Sequence, residues 1–115
     1  MGSMIFHKTS IQKQYKQYLI KLSSDSDLIN ILIEKDNTIY ESNFNLKSLR
    51  KHQLLKSLRK KQKIIKFIVE LIDMNKIEIK EENMNLKLVL ISTLPNHSNV
   101  VLNLKKKYNI KGNRK

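Results

Sequence analysis

The hydrophobic residues of this chain keep a period of two, change to a helical period, and return to two. Tyr18, Ile20 and Leu22 alternate with Leu19 and Lys21, the mark of a strand with one apolar face. Leu28–Ile33 is a nearly continuous apolar run, which predicts a strand buried on both faces. Asp36-Asn37 tolerates left-handed backbone, so Leu28–Lys35 and Thr38–Asn43 are expected to pair as a hairpin across it. A short first strand is placed at Met4–His7.

The period changes at Phe44-Asn45. Asn45 can cap a helix whose first turn holds Leu46 and Leu49, and Phe44 and Leu49 stand at the two positions of a hydrophobic staple. Leu54, Leu55 and Leu58 fall off the face shared by Leu46, Leu49 and Gln53, so this helix should break near His52-Gln53. Downstream, Ile64, Ile65, Ile68, Leu71 and Ile72 fall within an arc of about 120° on a helical wheel, with Lys63, Lys66, Glu70 and Asp73 opposite. Alternation returns after Asn75, where Ile77 and Ile79 oppose Lys76, Glu78 and Lys80. Glu82–Asn85 reads as a turn, and Glu81-Glu82 as part of a polar hairpin end rather than an acid/base pair. Leu86, Leu88 and Leu90 form the next strand, Ser92–Ser98 a loop, and Val100, Leu102 and Leu104 one face of the last strand.

This order predicts a mainly β protein with some α (α+β): a small seven-stranded β-sandwich or barrel with a helix-turn-helix inserted before its last three strands. Residues 4–106 are read as a single globular domain. Residues 1–3 look like a vector remnant, and 107–115 like a basic flexible tail without partner acids.

Composition narrows the chemistry. Only Gly2 and Gly112 occur, so no glycine-rich phosphate cradle, dinucleotide fingerprint or nucleophile elbow can be built between them. There is no Cys, and His7, His52 and His97 have no metal-ligand spacing. No catalytic, cofactor or metal residues are therefore assigned. No apolar run is long enough to span a bilayer, and no membrane partner is expected.

Charge is the other strong feature. The chain carries +13, and residues 42–69 hold nine Lys or Arg without one acid. Lys, Ile and Asn, all with codons made only of A and T, fill 47 of 115 positions, so coding bias accounts for part of this. Only three of the 23 cations are Arg, the group best suited to bidentate phosphate and base recognition. Lys56, Arg59, Lys60, Lys61 and Lys63 remain the candidate polyanion patch.

Leu46-Lys47-Ser48-Leu49-Arg50-Lys51-His52-Gln53-Leu54-Leu55 resembles a segment of the centriolar cartwheel scaffold, the spindle-assembly-abnormal-six family, in the superfamily that includes the X-ray-repair end-joining scaffold. Thr93, Pro95, Leu102 and Leu104 fall in the register of that family's last two strands. The Gly that the family carries before Leu-Leu is absent, and Asn96 stands where it more often has an aromatic residue. The resemblance implies a non-catalytic head domain that self-associates by placing an apolar side chain from its last loop into a pocket of a second head. Here that site would be Leu94, Pro95 and Asn96, with the alternative that Leu94 only anchors the loop on its own domain. Implied partners are a second copy in a weak homodimer, a higher oligomer built with a coiled coil beyond this chain, and other centriolar or microtubule-associated proteins. The implied location is the cytoplasm, at the centriole or basal body. The alternative function is a basic nucleic-acid- or polyanion-binding module, a head like that of the DNA-repair scaffold.

Overall fold

A computed structural model of the chain describes residues 10–94 and 96–107. Four strands come first: β1 (Ser10–Tyr15), β2 (Tyr18–Asp25), β3 (Leu28–Lys35) and β4 (Thr38–Asn45). A helical segment follows, made of α1 (Leu46–Leu49), a 3-10 turn at Gln53–Leu55, and α2 (Lys61–Asp73). The chain then returns to strands with β5 (Ile77–Glu81), β6 (Asn85–Leu90) and β7 (Val100–Lys107). All seven strands pair antiparallel in the order β1-β2-β3-β4-β7-β6-β5, one continuous sheet curled into a half-barrel. The expected first strand at Met4–His7 and most of the expected tail lie outside the described residues.

The core is the inside of that curl. Ile20 and Leu22 of β2, Ile29, Ile31 and Ile33 of β3, Leu86 and Leu88 of β6, and Leu102 and Leu104 of β7 form one buried cluster with Ile64, Ile65, Ile68, Leu71 and Ile72 of α2. The helix therefore lies on the concave side, with the apolar stripe read from the sequence as its buried face.

The helical segment begins as its residues dictate. Asn45 sits in extended backbone at the N-cap of α1, and its side-chain oxygen accepts from the Lys47 amide at 2.8 Å. The first helix is shorter than a helix-turn-helix implies: α1 has four residues, and Leu54 and Leu55 reach the core from the 3-10 turn instead. A longer helix would turn those two leucines away from the sheet.

β3 corrects the expectation of a strand buried on both faces. Ile29, Ile31 and Ile33 are buried, whereas Leu28 is exposed and Asn30 and Leu32 are half-buried. Leu32 stands between Lys21 on β2 and Glu41 on β4, so the long stems of charged neighbours, not a second layer, cover it.

β1 is an additional strand that the apolar pattern did not single out. Its sequence, SIQKQY, has no fully buried residue, because an edge strand gives only Ile11, Lys13 and Tyr15 to the covered side. Lys13 spends that position on an ion pair with Asp73 of α2 at 2.8 Å.

Tight turns are made without glycine. The three hairpins β1-β2, β2-β3 and β3-β4 each close through two residues, and Lys16, Ser26 and Asp36 at the first of these take φ of 56°, 54° and 57°. Asn75 does the same after α2, with φ 60°. There the Lys76 amide donates to the Leu71 carbonyl and the Asn75 amide to that of Ile72, a Schellman ending that usually uses Gly. A side chain in this region costs about 1–2 kcal/mol against right-handed backbone, less for Asn and Asp.

Ser26 makes no side-chain hydrogen bond among the described residues, so Ser26→Gly should stabilise the domain by roughly 0.5–1 kcal/mol, the relief of strain less the entropy of glycine in the unfolded chain. Asn75→Gly should give no such gain, because the Asn75 side-chain Oδ1 also accepts from the Tyr15 hydroxyl at 2.7 Å. Urea unfolding of both variants beside the parent would check the contrast.

Candidate functional site

The register of the strands separates two ends of the half-barrel. At one lie the β2-β3 turn, α1 and the β6-β7 loop; the Leu46 amide donates to the Asp27 carbonyl at 3.2 Å and so ties α1 to that turn. At the other lie the β1-β2, β3-β4 and β5-β6 connections.

Leu94 projects at the first end. It is 48% exposed, so about half of its surface is open to solvent. The loop beneath it is held by short contacts: the Ser92 hydroxyl bonds both the amide and the carbonyl of Leu94 at 3.1 and 3.2 Å, and the His97 amide donates to the Leu94 carbonyl at 3.2 Å. Asn99 closes the loop base by accepting from the Ser92 amide at 2.8 Å. Asn96 is exposed beside it, and Pro95 lies outside the described residues. A leucine raised on an internally bonded turn loses little freedom when it enters a pocket.

The cationic patch sits on the helical segment. Lys56, Arg59, Lys60 and Lys63 are exposed and Lys61 is half-buried. Arg50 organises this segment rather than adding to its reach, since its Nε and Nη2 both donate to the Lys56 carbonyl, at 3.3 and 3.2 Å. Lys60 is the N-cap of α2, without a side-chain cap, and no acid occupies the first turn of that helix. The patch and Leu94 are therefore two separate features, one on the helical segment and one on a strand connection.

A third group of polar residues was not foreseen. Glu81, expected in a polar hairpin end, is the last residue of β5 and turns toward the open mouth at the second end, while Glu82 alone joins the turn and pairs with Lys87. The Glu81 carboxylate accepts from the Tyr18 hydroxyl and from Lys35 Nζ, both at 2.6 Å, and from the Tyr40 hydroxyl at 3.3 Å. It thus fastens the free edge strand β5 to β2, β3 and β4 across the curl. Sequence gives each of these residues but not their meeting, which depends on how far the sheet bends.

Their protonation follows from the contacts. The Lys35 and Tyr18 hydrogen bonds hold the Glu81 carboxyl below the usual carboxylate range. Burial, and then the carboxylate beside it, push the Tyr18 phenol up to about 12, and the same causes raise Tyr40. Lys35 is raised by its bond to Glu81. A saturated acceptor flanked by two protonated phenols and a lysine is a structural lock, with no group poised to exchange protons near neutrality. Among the described residues no three of His, Cys, Asp or Glu gather as metal ligands.

No family model and no curated protein matches the sequence. The fold, however, has a solved counterpart. The structure is similar to that of the head domain of human CCDC61, with a TM-score of 0.60, covering 90% of this chain and 98% of that one at 9% identity. At such identity the likeness is one of fold. In this chain Leu49, Leu54 and Leu55 of the segment likened to the cartwheel family are core residues.

Removing the lock has a defined sign. Glu81 has a depressed pKa, so its contribution to stability is present above the ordinary carboxylate range and lost as pH falls through the folded value. Tyr18 has a raised pKa, so its contribution is present below pH 10 and lost as pH rises from there through about 12. In Glu81→Gln the Tyr18 midpoint should move down from about 12 toward the ordinary tyrosine value without reaching it, since burial remains. Tyrosinate absorbance against pH reads this directly, and an unchanged midpoint would dissociate Glu81 from Tyr18.

Proposed function

We propose that this chain is a non-catalytic structural head domain, of the kind found in the centriolar cartwheel scaffold family and its superfamily, whose work is self-association. The observation that carries the reading is the match, over almost the whole of both chains, to another head domain. Leu94, exposed on a bonded loop at one end, supplies the contact such a head would use. Pro95 and Asn96 complete the loop tip in sequence.

The physics of that contact sets the assembly. A single leucine in a pocket buries far less than the ~1,200–2,000 Å² of a stable interface, so isolated heads would form weak dimers. A second two-fold contact, through a coiled coil beyond this chain, would multiply the weak one and link dimers into a ring or shallow helix. Such an assembly belongs in the cytoplasm at the centriole or basal body, with other centriolar or microtubule-associated proteins as further partners. No step in it calls for an active site.

Sedimentation at high protein concentration should show the parent chain in a concentration-dependent monomer-dimer equilibrium and Leu94→Glu as a monomer. Because Leu94 is exposed, the substitution should leave folding stability within roughly 0.5 kcal/mol of the parent. Association that survives Leu94→Glu undiminished would overturn the assignment of this loop.

A further inference from the structure

Counter-charges are unevenly placed on this molecule. The described residues contain five ion pairs, Lys13–Asp73, Lys21–Glu34, Lys35–Glu81, Lys80–Glu78 and Lys87–Glu82, and in each the lysine lies on a strand. None of the nine cations in 42–69 has a carboxylate within ion-pair distance among the described residues. Lys105, Lys106 and Lys107 of β7 also lack such a partner among the described residues, but Glu41 stands opposite Lys105 on β4, whereas 42–69 holds no acid at all, a withholding that a bias toward lysine does not explain.

Packing accounts for only half of the helical segment. The buried stripe of α2 and the leucines of α1 and the 3-10 turn explain the inward side. The outward side works against the fold: like charges crowd together, and Lys60, Lys61 and Lys63 stand at the amino end of α2, where a helix favours anions. A surface that only had to be wet would be better served by mixed charge.

We propose that this outward side, centred on Lys56, Arg59, Lys60, Lys61 and Lys63, is a docking surface for the phosphate backbone of double-stranded nucleic acid, read without regard to sequence. The patch is mostly lysine, which meets phosphates as a point charge. Of its two arginines nearby, Arg50 has its guanidinium engaged by the Lys56 carbonyl, so little bidentate capacity is left for base edges. The aromatic residues of the segment, Phe44 and Phe67, pack against the core and offer no stacking platform for a single strand. The net charge of +13 and pI of about 10.0 extend the positive field well beyond the patch, which fits a long, uniformly charged polymer better than a short acidic peptide. The inference is independent of the Leu94 contact.

The test is fluorescence anisotropy of the full chain with three labelled probes: a duplex DNA of about 20 base pairs, one of its strands alone, and polyglutamate. Two quadruple variants remove the same four charges, one from the patch (Lys56→Gln, Arg59→Gln, Lys60→Gln, Lys63→Gln) and one from the sheet side (Lys76→Gln, Lys105→Gln, Lys106→Gln, Lys107→Gln). The duplex should bind most tightly, with affinity falling steeply as salt rises. The patch variant should lose at least about tenfold and reduce the slope of log affinity against log salt by up to roughly 3.6, the value for four lost phosphate contacts. The sheet variant should change both much less. Relief of repulsion should leave the patch variant folded, with a helical circular dichroism signal equal to the parent's and an unfolding temperature no lower. Equal losses in the two variants would reduce the effect to net charge, preference for the single strand or for polyglutamate would reassign the partner, and absence of duplex binding at about 50 mM salt would end the proposal.

Discussion

The apolar stripe of α2 fills the concave side of a sheet that would otherwise open its inner face to water. Five side chains, Ile64, Ile65, Ile68, Leu71 and Ile72, are buried there. At about 1.5–3 kcal/mol for each fully buried aliphatic side chain, the stripe contributes an amount comparable to the whole net stability of a small domain. The sheet supplies the opposite wall through one inward residue in two along each strand, and neither layer forms a core without the other. The half-barrel and the helix are therefore a single cooperative unit, and Leu94 and the cationic patch, the candidate features, stand on its rim and outer side.

A curled open sheet has two free edges, and each is handled by polar contacts. At β5, Glu81 reaches across the mouth to Tyr18, Lys35 and Tyr40. At β1, Lys13 pairs with Asp73 and the Tyr15 hydroxyl donates to Asn75 at the end of α2. These contacts are individually modest and partly exposed, but they fix where the edges lie against the helix. The β6-β7 loop, at the end away from Glu81, is held by its own hydrogen bonds and is left free to present Leu94.

A chain rich in A- and T-coded residues and almost without glycine must still turn tightly. Lys16, Ser26, Asp36 and Asn75 take the left-handed positions that glycine would occupy with less strain. The same bias that removes glycine supplies lysine, yet its use differs: among the described residues five strand lysines pair with acids, while the helical segment pairs none of its cations. Local composition is thus a poor guide to role, and the position of the counter-charge is a better one.

Much of the fold was legible along the chain because period is a local property. The Asn45 cap, the buried stripe of α2, and the inward residues of β6 and β7 follow from side-chain spacing alone, whereas the helix break expected near His52-Gln53 falls earlier, after Leu49. Leu94 stood out as the large apolar residue of the last loop, but whether it was tucked away or exposed was a matter of tertiary packing. β1 was hidden because an edge strand with one half-covered face carries too few apolar residues to register. β3 read as doubly buried because its outward positions also carry leucines, of which Leu32 is half-covered by charged neighbours on adjacent strands and Leu28 is exposed. Glu81 could not be joined to Tyr18, Lys35 and Tyr40, since residues up to 63 positions apart meet only when the sheet bends. Sequence determined which side chains share a face; curvature, which sums small twists over seven strands, decided which faces and ends come together.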